Sequence, residues 1–371
     1  MRNCKFRPLR RSGGFSLVEL MIGLLIGMLA IIVMMQVFSV SEGYKRTTTG
    51  GDDAQNDGAI ALYGLQRDMQ QSGLGIGGFQ IIGCNVLLRP GVTLNAISPV
   101  TINHPSIPLT ARDGGTDTVL IAYGNASGAA EGEKIEAHSA LLPRVFTVAA
   151  AATSATASGA FARNDNIIVE PQSRPSPCGL TIDSVSDVTG ANVTVAGAGV
   201  AGWSGSGIMY NLGQAPKVRV YAVHHGNLTV CDYITSDCGA AASADDAAVW
   251  VPIASNIVSL RAEYGRDTTA APRMDGTVDT FDQTLNEATY GVACARVRVS
   301  AVRLVLVARS AQYDKNDKRL ATASAPQWAS SNAAIDLSGY ADWQHYRYKL
   351  FQTVVPLRNM AWPSPDAMKS C

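Results

Sequence analysis

From Phe15 to Phe38 the chain runs for 24 residues in which only Ser16, Glu19 and Gln36 break an apolar sequence. About 20 apolar residues suffice for a helix to cross a bilayer core. The pattern then turns amphipathic. Gly50-Gly51 predicts a break, and Asp52-Asp53 offers a new helix cap with favourable charge. Ala54, Ala61, Leu62, Leu65 and Met69 recur at helical spacing, with Gln66, Arg67, Asp68 and Gln70 on the other side. Ser72-Gly73 ends that helix, as a glycine after a last turn does. Beyond Gly73 the pattern becomes one of strands and loops. Strands are expected at 118–123, 145–148, 167–170, 193–195, 208–211, 218–223, 228–233, 249–253, 257–264, 296–308 and 346–357. The segments 218–223 and 228–230 form a hairpin about a turn near Gly226-Asn227. The stretches 149–160, rich in Ala, Ser and Thr, and 265–287 lack periodicity and read as loops.

Charge sets the orientation of the apolar run. Arg2, Lys5, Arg7, Arg10 and Arg11 precede it with no acidic residue among them, which holds that end in the cytoplasm. Everything after about residue 40 is then carried across the membrane. A secretory signal peptide has a shorter apolar centre and a small-residue cleavage site, and Val37-Phe38-Ser39 is a poor match. A plain anchor has no need of Glu19, whose carboxylate costs about 2.5–3.5 kcal/mol at membrane depth. Gly23 and Gly27 form a small-xxx-small pair that permits close helix approach.

The run Gly14-Phe-Ser-Leu-Val-Glu-Leu20 resembles the class III leader of type IV prepilins and of type II secretion pseudopilins. The resemblance implies cleavage by a prepilin peptidase between Gly14 and Phe15, followed by N-methylation of Phe15. It also implies that Glu19 neutralises the amine of a neighbouring subunit as a filament grows. Asn56-Asp57-Gly58, Leu65, Arg67, Asp68 and Ser72-Gly73 resemble PilW-type minor pilins, as do the Arg- and Val-rich segments 296–310 and 346–359. The fold implied is α+β and type IV pilin-like: a long N-terminal transmembrane and amphipathic helix packed on a large antiparallel β-sheet domain. The expected division is a cleaved leader at 1–14, a transmembrane helix at 15–40, a periplasmic helical part at 41–72 and a β-rich domain at 73–371.

By the same resemblance the chain is a single-pass protein of the bacterial inner membrane with its C-terminal domain periplasmic, passing later to the pilus tip. The partners implied are a prepilin peptidase, other minor pilins, the major pilin, the inner-membrane assembly platform and a tip adhesin. A J-type minor pseudopilin of a type II secretion system shares the leader, anchor and size range, and stands as the alternative.

Removing the five leader cations leaves 25 basic against 30 acidic residues, which argues against nucleic-acid binding through a basic surface. Once Cys4 leaves with the leader, Cys84, Cys178, Cys231, Cys238, Cys294 and Cys371 remain. An even number in an oxidising compartment reads as disulfides, with fifteen pairings open. Only Cys231 with Cys238 is suggested by proximity. Catalytic sets are missing from the pattern: Gly202-Trp-Ser-Gly-Ser-Gly207 fails the register of a nucleophile elbow. His224 and His225 point to opposite faces of a strand and read as solvent-side residues. No enzyme and no resident cofactor are expected. Asp267, Asp275, Asp279 and Asp282 around Gly276 are weak calcium candidates, as is the acidic loop of Asp314, Asn316 and Asp317.

Overall fold

The computed structural model describes residues 14, 16–107, 113–126, 132–149, 161–172, 178–270, 274–314, 321–328, 333–360 and 371. The basic leader, Phe15, Asn316 and Asp317 lie outside the described residues, as does nearly all of the Ala/Ser/Thr stretch. Helix α1 spans Leu17–Gln71. It does not break at Gly50-Gly51, contrary to the sequence expectation. A glycine costs about 1 kcal/mol within a helix, and a helix already nucleated on both sides absorbs that cost. Two compact units divide the chain, one up to Asp52 and one from Asp53 onward.

Within the second unit the architecture is α+β, with the helix segment from Asp53 lying over antiparallel sheets. Ala54, Ala61, Leu65 and Met69 are buried there, as their spacing requires. They share a core with Val119, Ile121, Tyr221, Leu260, Leu304 and Val355. Gly58 admits the ring of Phe351, which a Cβ at that position would strike. Gly73, at φ 85°, closes the helix in the left-handed region.

Three sheets follow. The first contains β3 (Val100–Ile102), β4 (Val119–Tyr123), β11 (Lys217–His224), β12 (Asn227–Asp232) and β13 (Val251–Ala254), in the order β13-β12-β11-β4-β3. The second contains β14 (Ile257–Arg266), β15 (Thr280–Asp282), β16 (Val299–Arg309) and β17 (Tyr348–Pro356), in the order β15-β14-β16-β17. Two short helices, α2 (Glu287–Tyr290) and α3 (Val292–Val297), precede β16. Thus 296–298 are not strand, and the expected loop at 265–287 contains β15 and the end of β14.

The third sheet holds β1 (Asn85–Arg89), β2 (Val92–Leu94), β5 (Glu133–His138), β6 (Val145–Val148), β7 (Asn166–Pro171), β8 (Gly179–Thr189), β9 (Asn192–Val195) and β10 (Gly207–Gly213). Its order is β2-β1-β8-β7-β10-β5-β6-β9, and β8 also pairs with β9. The last pairing closes six strands into a barrel with its own core of Ile135, Phe146, Val169, Val193 and Met209. In sequence the whole barrel lies between β4 and β11, which pair directly with Tyr123 opposite Lys217. It is an excursion from one sheet that returns to its starting point.

Three disulfides join Cys84 to Cys178, Cys231 to Cys238 and Cys294 to Cys371. The first fastens the start of β1 to the start of β8, where those strands run parallel.

Candidate functional site

The first candidate is the exposed end of α1. From Leu17 to Val40 every large apolar side chain is more than half exposed. The segment Leu17–Glu42 has a mean hydropathy of 2.7, long and apolar enough to cross a membrane. Glu19 lies in its first turn and is exposed. Gly23 and Gly27 have open space where a Cβ would project. Spacings of four put Glu19, Gly23 and Gly27 on one stripe of the helix. A carboxylate and two bare backbone positions thus face the same way, suited to a second helix. Gly14 is exposed ahead of the helix.

Further along α1, Asp68 forms a polar anchor to the first sheet. The sequence pattern put it on the solvent side, yet it is only 9% exposed. It stands seven residues after Ala61, which returns it to the buried stripe. Arg219 Nη1 donates to its Oδ2 at 2.5 Å, and the Tyr221 hydroxyl donates to the same oxygen. Burial, then the bond to Asp68, pushes the Tyr221 hydroxyl up, and burial beside Asp68 pushes Tyr123 up to about 12. The cluster fixes the register of the helix on the sheet, because a displaced Asp68 would leave its charge buried without donors.

The calcium candidates are engaged within their own loop. Asp267, 2% exposed, accepts backbone N–H groups of Thr269, Asp275 and Gly276 at 2.8–2.9 Å. Burial would raise its carboxyl, but these donors hold it below the usual range. Asp279 accepts from Thr268, Asp282 pairs with Arg266, and Asp275 caps Thr277. Asp314 lies 3.8 Å from Arg347. Among the described residues no three His, Cys, Asp or Glu side chains converge as a metal group. Ser204 accepts the N–H of Ala140 in the barrel's end loops.

The histidine pair divides differently from the expectation. His225 and Gly226, with φ of 51° and 71°, form the two-residue turn of the hairpin, the mirror-image type such hairpins favour. His225 is exposed, but His224 is buried and lies 4.4 Å from the Trp250 ring. Thr229 gives its hydroxyl proton to Ala222, so Nδ1 of His224 is the donor to Thr229 at 2.7 Å. Burial holds the imidazole down to about 4, with His225 opposing protonation and Asp113 and Asp245 favouring it. The unfolded chain therefore takes up this proton first as pH falls. Stability from neutral His224 is present above about pH 6.5 and lost as pH falls through 4, about 3 kcal/mol in all. Urea midpoints at pH 7 and pH 4.5 should differ less for His224→Phe than for wild type. An equal difference would exclude His224 as the source.

Comparison with known proteins meets the resemblance read in the C-terminal part of the chain. The model of the PilW family, Type IV Pilus-assembly protein W, matches residues 227–359. Those residues hold β12 to β17. Among solved structures, a type IV-like pilin from Thermus thermophilus is similar over 54% of this chain and 87% of its own. Its identity is 12% and its TM-score 0.18, a likeness too loose to carry any argument. No curated protein matches the chain. The family match supports a role in type IV pilus assembly.

Proposed function

We propose that this chain, whose residues 227–359 carry the PilW match, is a minor pilin of a type IV pilus. It is processed after Gly14, held in the inner membrane by α1, and joined to other minor pilins in the complex that starts the filament and remains at its tip. The observation that carries the reading is one chain with two features. An apolar helix with a lone carboxylate in its first turn leads into a β-rich body whose C-terminal third matches a pilus-assembly family. An apolar helix exposed along its length is costly in water, and the bilayer and then a helix bundle are the two media that cover it. The cell supplies them in that order during assembly. The role is structural: the chain contributes a helix for the bundle and a rigid head that neighbours dock against.

Affinity purification of the full chain from detergent-solubilised membranes tests this. Other pilin subunits of a type IV pilus system are expected in stoichiometric amounts. Recovery with the pseudopilins of a type II secretion system, or alone, would overturn the assignment.

A further inference from the structure

We propose that the bare half of the first sheet, beside α1, is a seat for a second helix supplied by a neighbouring pilin subunit. This rests on the reading of the chain as a subunit that joins other pilins. Five strands at about 4.8 Å spacing make a sheet about 19 Å wide, whereas one helix is about 10 Å across. A single helix therefore covers about half of the face. The cross-strand row Val119–Tyr221–Val230–Val251 shows where cover ends. Val119 and Tyr221 are 0% and 3% exposed under α1, Val230 is half-buried, and Val251 is 47% exposed. Ile253 on the same strand is 44% exposed.

Between that bare strip and the helix lies a groove of about 750 Å³, lined by Gly64, Arg67, Gln71, Val230, Val251 and Ile253, among others. The helix side of the groove is itself open. A Cβ on Gly64 would meet nothing within 4 Å, and Ile60, one turn before it, is 69% exposed just beyond the groove. Positions 60, 64, 67 and 71 follow helical spacing, a stripe about 17 Å long. A glycine at its middle lets a second backbone approach to the short end of the usual 8–10 Å helix separation.

The occupant is a helix and not an added strand. Pro252 has no N–H to offer on the outer edge of β13, and the register of β13 on β12 is irregular. The apolar side chains open onto the sheet face, where helices pack. An amphipathic helix fits, with its apolar stripe on Val251, Ile253 and Ile60 and an acidic residue bordering the exposed cation of Arg67, on the helix side of the groove away from Asp232. Among the described residues of this chain no helix besides α1 is longer than six residues, so a neighbour's amphipathic helix supplies it.

Photo-crosslinkers placed at Val251 and at Ile253 of the full-length chain, in membranes containing its partners, test the assignment. Crosslinked peptides should map to the N-terminal helix of a different pilin subunit. Mapping to this chain itself, to a second copy of it, to a strand of any protein or to lipid would overturn the seat. Two variants give an independent reading. Gly64→Leu fills the groove from a position with free space and better helix propensity, so its Tm should equal or exceed that of wild type. Ile253→Arg puts a charge on the strip. Each should lower the recovered partner pilin about tenfold or more. Wild-type recovery by both variants would refute the seat while leaving the pilin reading intact. A wild-type chain that recovers no pilin would refute both.

Discussion

Glu19→Ala should leave the protein processed and abundant in the membrane but unable to enter filaments. The carboxylate lies in the first turn of an exposed apolar helix, remote in sequence from every strand. Removing it relieves an insertion penalty of about 2.5–3.5 kcal/mol, so anchoring improves if it changes at all. On the proposed reading, what disappears is the charge partner for a neighbouring subunit's terminal amine. Breaking such a pair in a low-dielectric bundle costs about 3–5 kcal/mol, because the remaining charge stays buried without compensation. Gly23 and Gly27 share the stripe of Glu19, so the proposed charge pair and the closest helix approach would belong to one contact. Surface pili should fall at least tenfold, in keeping with a loss of that size. Glu19→Gln, which keeps shape and removes charge, should match the alanine variant. Wild-type piliation in both, with normal protein levels, would contradict the role.

The largest change in stability is expected from the disulfide that closes the longest loop. Cys84 and Cys178 are 94 residues apart, against 7 for Cys231 and Cys238. If cross-links act mainly by restricting the unfolded chain, loops of about 100 residues give about 4.7 kcal/mol and loops under 15 residues less than 3. The long-loop bond also secures the parallel pairing of β1 with β8, the barrel's attachment to β1. Guanidinium unfolding of Cys84→Ala/Cys178→Ala should show a loss of about 4–5 kcal/mol, roughly twice that of Cys231→Ala/Cys238→Ala. A double variant within 1 kcal/mol of wild type, or a reversed order of the two, would contradict this.

Where local chemistry decides, the sequence was readable. The apolar run, the Ala61–Leu65–Met69 stripe, the closing Gly73 and the β11–β12 hairpin all follow from spacing that one element sets by itself. Even Asp68 was legible in principle, since it falls seven residues after Ala61 on the apolar stripe. Its burial looked improbable only because Arg219 and Tyr221, more than 150 residues away, are what make it affordable. Four barrel strands, β6, β7, β9 and β10, were legible as apolar runs, but β5, β8 and the closure were not. β5 carries one inward apolar residue, Ile135, among Glu133, Lys134 and Glu136, and most of β8 is polar and half-exposed. Such strands show no local alternation, and their closure rests on the pairing of β8 with β9 and of β5 with β10, which no short window contains. His224 misled for the same reason: the turn that exposes His225 is local, but Trp250 that covers His224 is not. The groove beside α1 needed both sheet width and helix position, quantities that exist only after folding.

On the reading proposed above, the helix that begins near Phe15 is the processed assembly helix of a pilin. Intact-mass and N-terminal peptide analysis of the protein from membranes of peptidase-competent cells tests it most directly. The mature chain should begin at N-methylated Phe15, with Met1 to Gly14 removed. A chain that still begins at Met1, or one cut after the apolar segment, would contradict the account.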